Sequence, residues 1–329
     1  MKRALIMGVG GQDGSFMAEH LLSLGYEVVG TVRKSPSLVP WLGPLLNRIE
    51  CVYCDVRDAV SIEAAVNKAW PDEVYNFAAY DGIPLSWSHP EDSMNVIYGG
   101  LSRLLGVLRV IKSDARVYQA SSAAMFGEVD GACDEQTPRN PNSPYAIAKM
   151  AAHELAHLYR DRGQFVACGI CMNHESERRC SDRASKKIAT AVAKWALGTE
   201  DKLFFGHQDA KRDWGFAGDF VKAFNLMLQQ DVPADYVIGT GESRSVRDFI
   251  RACCRSAGFS KIPDHLIHTD ERLVRKNDVR SMVANPTKAL HDFNWVAETK
   301  MDKLADRMVQ SEIERLRRAD ANVSRANAA

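Results

Sequence analysis

The feature that most constrains this chain is a glycine-rich turn, GVGGQDG at residues 8–14, set between the apolar run RALIM and the helical pattern GSFMAEHLLSLG. A strand that ends in such a turn and continues as a helix presents unpaired backbone N–H groups at the helix N-terminus, where a phosphate is attracted. Here Gly8 permits the tight turn, Gly11 lets the backbone approach a pyrophosphate, and Gly14 allows close packing of helix on strand. The motif alone is weak. Its strand–turn–helix setting makes it a nucleotide-binding signature, with Gln12 and Asp13 at the helix opening included.

The same alternation continues. EVVGTVR, IECVYCDV, EVYNFAA, RVYQASS and FVACGICMN read as buried strands, separated by helical patterns such as SIEAAVNKAW and NVIYGGLSRLLGVLRVI. A short helix is expected near residues 44–47. Strands and helices alternating at these lengths predict an α/β fold, a Rossmann-type doubly wound parallel sheet with a smaller mixed α/β lobe. Residues 1–172 are expected to form the dinucleotide-binding domain, with a segment around 213–242 interleaved. Residues 173–212 and 243–317 are expected to form the substrate lobe, and 318–329 a disordered tail.

Forty-two basic residues balance 42 acidic ones, which argues against a general nucleic-acid or membrane-surface binder. No uninterrupted apolar stretch of about 18 residues is visible, so no membrane span is expected. MKRALIMGVG enters the first strand directly, unlike a secretory leader. Eight cysteines fit a reducing cytoplasm. Two pairs, Cys51/Cys54 and Cys168/Cys171, have CxxC spacing inside strand-like runs. Residues three apart on a strand point to opposite faces, so neither pair is expected to grip a metal, and no metal site is expected.

An NAD enzyme usually ends its second strand with an acidic residue on the adenosine ribose. Here Arg33, Lys34 and Ser35 stand in that place and suit the 2′-phosphate of NADP; the alternative is a solvated basic turn. Asp55, with Val56 beside it, is an expected adenine contact, and Phe77, Ala78 and Ala79 line the next strand end.

SPYAIAK places Tyr145 and Lys149 four residues apart, on one helix face. A tyrosine ionises at about pH 10, so as a base at neutral pH it needs a neighbouring cation, which Lys149 supplies. Ser122, at the end of the preceding strand, can hydrogen-bond the same substrate oxygen. Together Ser122, Tyr145 and Lys149 can move a proton at a carbinol while a nicotinamide exchanges hydride.

With these residues in place the chain resembles the extended short-chain dehydrogenase/reductase superfamily, and within it the GDP-mannose 4,6-dehydratase family. The most specific matches are MNHESERR (172–179), DAKRDWGFAGDFVKAFNLMLQQD (209–231), TGESRSVRDF (240–249) and RKNDV (275–279). The resemblance implies a GDP-sugar pocket. Asn173, Lys187, Arg212, Arg247 and Arg275 would then contact the diphosphate, the guanosine or adjoining loops, and Asp278 the ribose. Ser86 would also belong to the substrate site, while His174, with Glu175, and Arg179 would orient the loop and cofactor. Several cations around a diphosphate make physical sense, because arginine offers bidentate geometry.

One departure bears on the chemistry. Where the family carries Ser-Thr-Ser-Glu-Leu-Tyr-Gly, this chain has Ser121, Ser122, Ala123, Ala124, Met125, Phe126 and Gly127. The resemblance makes the lost Glu the group that takes the C5 proton and helps expel the C6 hydroxyl, and Ala124 has nothing to titrate. Asp81 is new on a loop expected near the hexose; it reads as a displaced base, a sugar-hydroxyl ligand or a surface turn residue. Glu128 follows the turn and is expected to point away. The leading expectation is therefore hydride transfer at C4 of a GDP-linked hexose or higher sugar, by a 4-ketoreductase, 4-dehydrogenase or 4-epimerase. A dehydratase with a relocated base is the alternative, and a non-catalytic nucleotide sensor a third. The segment after Arg33 lacks the family's charged stretch that reaches a neighbouring subunit, so a homodimer through the Tyr145 helix is expected before a homotetramer.

Overall fold

The structure is a computed structural model that describes residues 1–79, 82–273 and 279–328. In chain order the strands are β1 Arg3–Met7, β2 Glu27–Val32, β3 Glu50–Tyr53, β4 Glu73–Asn76, β5 Arg116–Ser122, β6 Val166–Cys171, β7 His174–Glu175, β8 Leu203–Phe205, β9 Lys211–Asp213, β10 Gly215–Phe216, β11 Asp235–Ile238, β12 Ser243–Ser245 and β13 Ile267–Thr269. The α-helices are α1 Gln12–Ser23, α2 Ala59–Ala69, α3 Ile83–Ser88, α4 Pro90–Met94, α5 Gly100–Ile111, α6 Pro144–Arg160, α7 Ala184–Ala196, α8 Ala217–Leu228, α9 Val246–Ser256, α10 Thr287–Phe293 and α11 Met301–Ala328.

Seven strands form one parallel sheet in the order β11-β6-β5-β4-β1-β2-β3. Crossover connections put helices on both faces, so the middle strands must be apolar on both sides. β4 and β6 are indeed buried at every residue. The chain reverses direction across the sheet between β1 and β4, and the carboxyl ends of those strands flank the crevice where such sheets bind ligands.

On one face α1 and α8 cover the sheet through an aromatic core. Tyr118 of β5 stacks on Phe224 of α8 at 4.3 Å between ring centroids, and Phe77 leans on both. On the other face α2, α5 and α6 pack with Leu101, Leu104, Leu105 and Leu108 inside. The two cysteines of each CxxC pair divide between these faces: Cys51 and Cys171 pack on the α1/α8 side, Cys54 and Cys168 on the other. All eight cysteines are free thiols.

Three features differ from the sequence expectation. The segment before β3 forms 3₁₀ turns at Pro36–Leu38 and Pro40–Leu45, not an α-helix near 44–47, because its prolines remove the N–H groups a longer helix needs. The helical run Pro90–Ile111 is long and apolar enough, by length and composition, to cross a membrane. Here its leucine stripe is spent on the sheet and α2. Finally, α11 continues to Ala328 through the segment read as a tail, a stretch of alanine and arginine with neither glycine nor proline.

Beyond the sheet, β9 pairs with β12, β8 with β13 and β7 with β10. Asp213, buried at the end of β9, ties this lobe together. Its carboxylate accepts from the Thr240 amide and hydroxyl and from the amides of Gly241 and Ala284. Burial raises its pKa, against the pull of those donors.

The Tyr118–Phe224 stack predicts a large cost for truncation. Phe224→Ala should lower stability by about 3–5 kcal/mol, read from urea denaturation midpoints; a loss under about 1 kcal/mol would show that the aromatic layer does not hold α8 to the sheet.

Candidate active site

The glycine loop is shaped by what a side chain would strike. A Cβ on Gly14 would lie 2.3 Å from the Gly8 carbonyl oxygen, so α1 reaches the loop only through a residue without one. Gly8 has φ +86°, a conformation that strains other residues, and its Cβ position faces the Ala78 backbone at 3.5 Å. No side chain caps α1 at Gly11 among the described residues, which leaves the first-turn N–H groups facing outward for an anion. This cradle fits a dinucleotide pyrophosphate.

Gln12 and Asp13 bind the loop to the segment after β6. Gln12 Nε2 donates to the His174 carbonyl at 3.1 Å, and the Ser176 hydroxyl donates to Gln12 Oε1 at 2.8 Å. Both ring nitrogens of His174 face acceptors: Nδ1 lies 2.8 Å from the Met172 carbonyl and Nε2 3.0 Å from Asp13 Oδ2. Only an imidazolium donates from both. Burial opposes that charge, but Asp13 outweighs it and the His174 pKa is raised. Burial also opposes ionisation of Asp13, yet His174, with Gln12 donating, holds the carboxyl down to about 2. Phe220 stacks beneath the imidazole at 4.8 Å. Arg179 pairs with buried Glu175 at 3.0 Å, and Ser185 donates to the same carboxylate oxygen at 2.6 Å.

At the second strand end Arg33, Lys34 and Ser35 are all exposed. The Asp55 carboxylate is held in a fork by Arg57, whose hydrogen bonds keep it at about 2. That guanidinium, which the sequence reading passed over, is bonded directly to the expected adenine contact. Val56 is buried, and Ala78 and Ala79 lie half-buried beside the loop, whereas the Phe77 ring turns into the aromatic core.

Ser143 caps α6 by accepting from the Ala146 amide, and Pro144 fills the first helical position. The helix therefore starts one residue before Tyr145. Lys149 is buried, its ammonium 5.8 Å from the Tyr145 ring centroid and donating to the Ala120 carbonyl at 2.7 Å. That bond fastens the Tyr145 helix to β5, whose last residue is Ser122. The Ser122 hydroxyl accepts from the Ala124 amide at 3.2 Å and so caps the 3₁₀ turn Ala123–Phe126. Ala124 sits half-buried on this turn. Glu128 is turned to Arg280, accepting from its amide at 2.9 Å and its Nε at 3.1 Å.

The expected substrate residues are less tightly gathered. Asn173 follows β6, and its carbonyl accepts from Gly215. Arg212 donates to the Val279 and Lys211 carbonyls, each at 2.7 Å. Arg247, on the first turn of α9, lines a cavity of about 320 Å³ with Arg251 and Lys261. Lys187 is exposed on α7. Ser86 is fully buried and its hydroxyl donates to the Ile83 carbonyl at 2.7 Å, so it is held inside its own helix. Asp81, Arg275 and Asp278 lie outside the described residues.

Comparison with known proteins follows this geometry. The family model described as GDP-mannose 4,6 dehydratase matches residues 5–308. The chain belongs to the GDP-mannose 4,6-dehydratase family. Family relatives include the GDP-mannose 4,6-dehydratase of Yersinia enterocolitica, 35% identical over 357 residues, covering 95% of this chain and 94% of its own. GDP-mannose 4,6 dehydratase 1 of Arabidopsis thaliana is 37% identical over 334 residues, covering 96% and 91%. Among solved structures, the UDP-glucose 4-epimerase of Thermus thermophilus superposes with a TM-score of 0.83 at 24% identity, covering 94% of this chain and 98% of its own. DesIV of Streptomyces venezuelae, a dTDP-glucose 4,6-dehydratase, gives 0.84 at 21%, covering 95% and 97%. The two solved structures carry the fold alone. Family membership places the chain among extended short-chain dehydrogenase/reductases, in a family of nucleotide-sugar enzymes.

The Asp13–His174 pair has a defined pH window. Asp13 contributes stability above the ordinary carboxylate pKa, and loses it as pH falls toward 2. His174 contributes fully below the ordinary histidine value, and loses it as pH rises through its raised folded pKa. Asp13→Asn should drop the His174 pKa below that of a free histidine and cost about 1.5–3 kcal/mol near pH 6. NMR titration of the imidazole with denaturation of the same variant checks both; an unchanged His174 pKa would refute the pairing.

Proposed function

We propose that this chain transfers hydride at C4 of a GDP-linked hexose or higher sugar, with NADP as cofactor, as a 4-ketoreductase, 4-dehydrogenase or 4-epimerase. The observation that carries the proposal is a contrast between three side chains and the residue at position 124. Tyr145, Lys149 and Ser122 are brought to one helix–strand junction, while position 124 offers a methyl group where the family's carboxylate stands. A dinucleotide held by its pyrophosphate in the glycine loop would supply or accept the hydride through its nicotinamide.

The protein's own residues do the rest. Tyr145 takes the C4 hydroxyl proton, or returns it, and the buried ammonium of Lys149 stabilises the charge that develops on the phenol. Ser122 hydrogen-bonds the same oxygen and fixes its direction. The exposed cations Arg33 and Lys34 favour the 2′-phosphate of NADP over a bare ribose. Arg247 and its neighbours offer positive charge to the substrate diphosphate. The exposed Ile147 and Leu158 on α6 suit a helix-to-helix homodimer.

Tyr145→Phe should cut turnover by about 10²–10⁴-fold with little change in nucleotide-sugar affinity. A variant with unchanged turnover would remove Tyr145 from the chemistry and favour a nucleotide sensor.

A second reading, dehydration with a displaced base, is favoured by the relatives, which carry the name GDP-mannose 4,6-dehydratase at 35% and 37% identity. Mass spectrometry of the sugar product in heavy water, with GDP-mannose and NADP⁺, separates the two. An intact mass or loss of two hydrogens is expected for the wild type, and loss of water with deuterium uptake for Ala124→Glu. Water loss by the wild type that disappears in Asp81→Asn would overturn the C4-only reading.

A further inference from the structure

The helix that carries Tyr145 and Lys149 contains, one turn further on, the sequence His153-Glu154-Leu155-Ala156-His157. Two histidines four apart on a helix share one face, a spacing that suits a single metal ion. The spacing alone says little, and what gives it content is where the fold puts its third member. Asp235 opens the edge strand β11, and its Oδ2 lies 2.6 Å from His157 Nε2 and 3.3 Å from His153 Nε2. The three ligand atoms all lie within 4.8 Å of one another.

We propose that His153, His157 and Asp235 form a binding site for a zinc-like divalent transition metal, behind the catalytic helix and separate from the nucleotide site. His153 is completely buried, and its Nδ1 lies 2.8 Å from the Ser121 hydroxyl. A proton held on that nitrogen leaves Nε2 with its lone pair toward Asp235, the arrangement in which an outer hydrogen bond orients a metal-binding imidazole. His153 Nε2 lies inside the protein 3.3 Å from Asp235 Oδ2, a contact longer and weaker than the 2.6 Å one that His157 makes to the same oxygen. A buried nitrogen lone pair beside a carboxylate oxygen is the donor set that a divalent cation satisfies.

The remaining contacts are compatible with coordination. Arg160 takes the other carboxylate oxygen, Oδ1, at 2.6 Å, so Oδ2 is left for a monodentate bond. Tetrahedral zinc with nitrogen and oxygen ligands holds them about 3.3 Å apart; His153 and Asp235 already stand at that distance, His157 and Asp235 must open from 2.6 Å, and the two imidazole nitrogens, within 4.8 Å, must settle to the same separation. His157 and Asp235 line a cavity of about 430 Å³ together with Thr137, Arg139, Arg160 and Lys288. Those cations suit a hydroxide or another anion as the fourth ligand. Glu154, the base in hydrolytic sites of this spacing, is drawn to Arg139 at 2.6 Å. The proposal is accordingly one of metal binding. Metal there would clamp α6 to both β5, through Ser121, and β11.

The test uses the full chain without a histidine tag, stripped with chelator, given one equivalent of Zn²⁺ and desalted. About one zinc per chain should remain by mass spectrometry, and the melting temperature should rise on the order of 5 °C. His157→Gln, at a half-exposed position, should lose both effects while keeping its circular dichroism. With Co²⁺ in place of zinc, the wild type should show the strong visible bands of a tetrahedral site. No retained metal, equal retention in His157→Gln, or only the weak bands of octahedral Co²⁺ would overturn the proposal and leave an ion-pair lock between α6 and β11.

Discussion

The site depends on one hydrogen bond, from the buried Lys149 ammonium to the Ala120 carbonyl at the end of β5. A charged group at that depth is costly unless it is bonded. The cost makes its placement specific, and rotating or sliding α6 would break the bond to β5. Because Tyr145 is one turn earlier on α6 and Ser122 two residues later on β5, the same bond sets the separation of the two hydroxyls. The Ser121–His153 contact a turn further on repeats the attachment.

A second constraint joins the glycine loop to the rest of the molecule. Gln12 and Asp13 spend their side chains on the segment after β6, so the phosphate cradle is held from both sides. Asp213 plays the corresponding part in the lobe, collecting amides from remote stretches of chain. Both are carboxylates used for structure, and each sits where two remote segments would otherwise leave donors unpaired.

Against this retained frame, position 124 is the informative change. The turn that carries it is capped by Ser122, and Glu128 is committed to Arg280, so the nearest following carboxylate is tied elsewhere. In the proposed function, moving a proton at a carbinol and eliminating water fall to different side chains, so a change at position 124 touches only the second.

The sheet, the glycine loop, the Tyr145–Lys149 spacing and the family were legible in the sequence because each is local: a period, a turn or a spacing along one element. The opposite-face reading of the cysteine pairs worked for the same reason, since alternation along a strand needs no knowledge of its neighbours. That Ser86 is buried and donates to the Ile83 carbonyl of its own helix was not legible, because a hydroxyl's partner is a matter of burial. Only the fold shows Asp13 facing His174, 161 positions away. Likewise the partner of His153 and His157 is Asp235, 82 and 78 positions downstream by its numbering and adjacent only because β11 pairs with β6. The sequence alone determined which elements form and which chemistry each can carry. Tertiary structure decided which side chains meet, because burial and hydrogen-bond satisfaction are settled between elements that the chain order does not bring together.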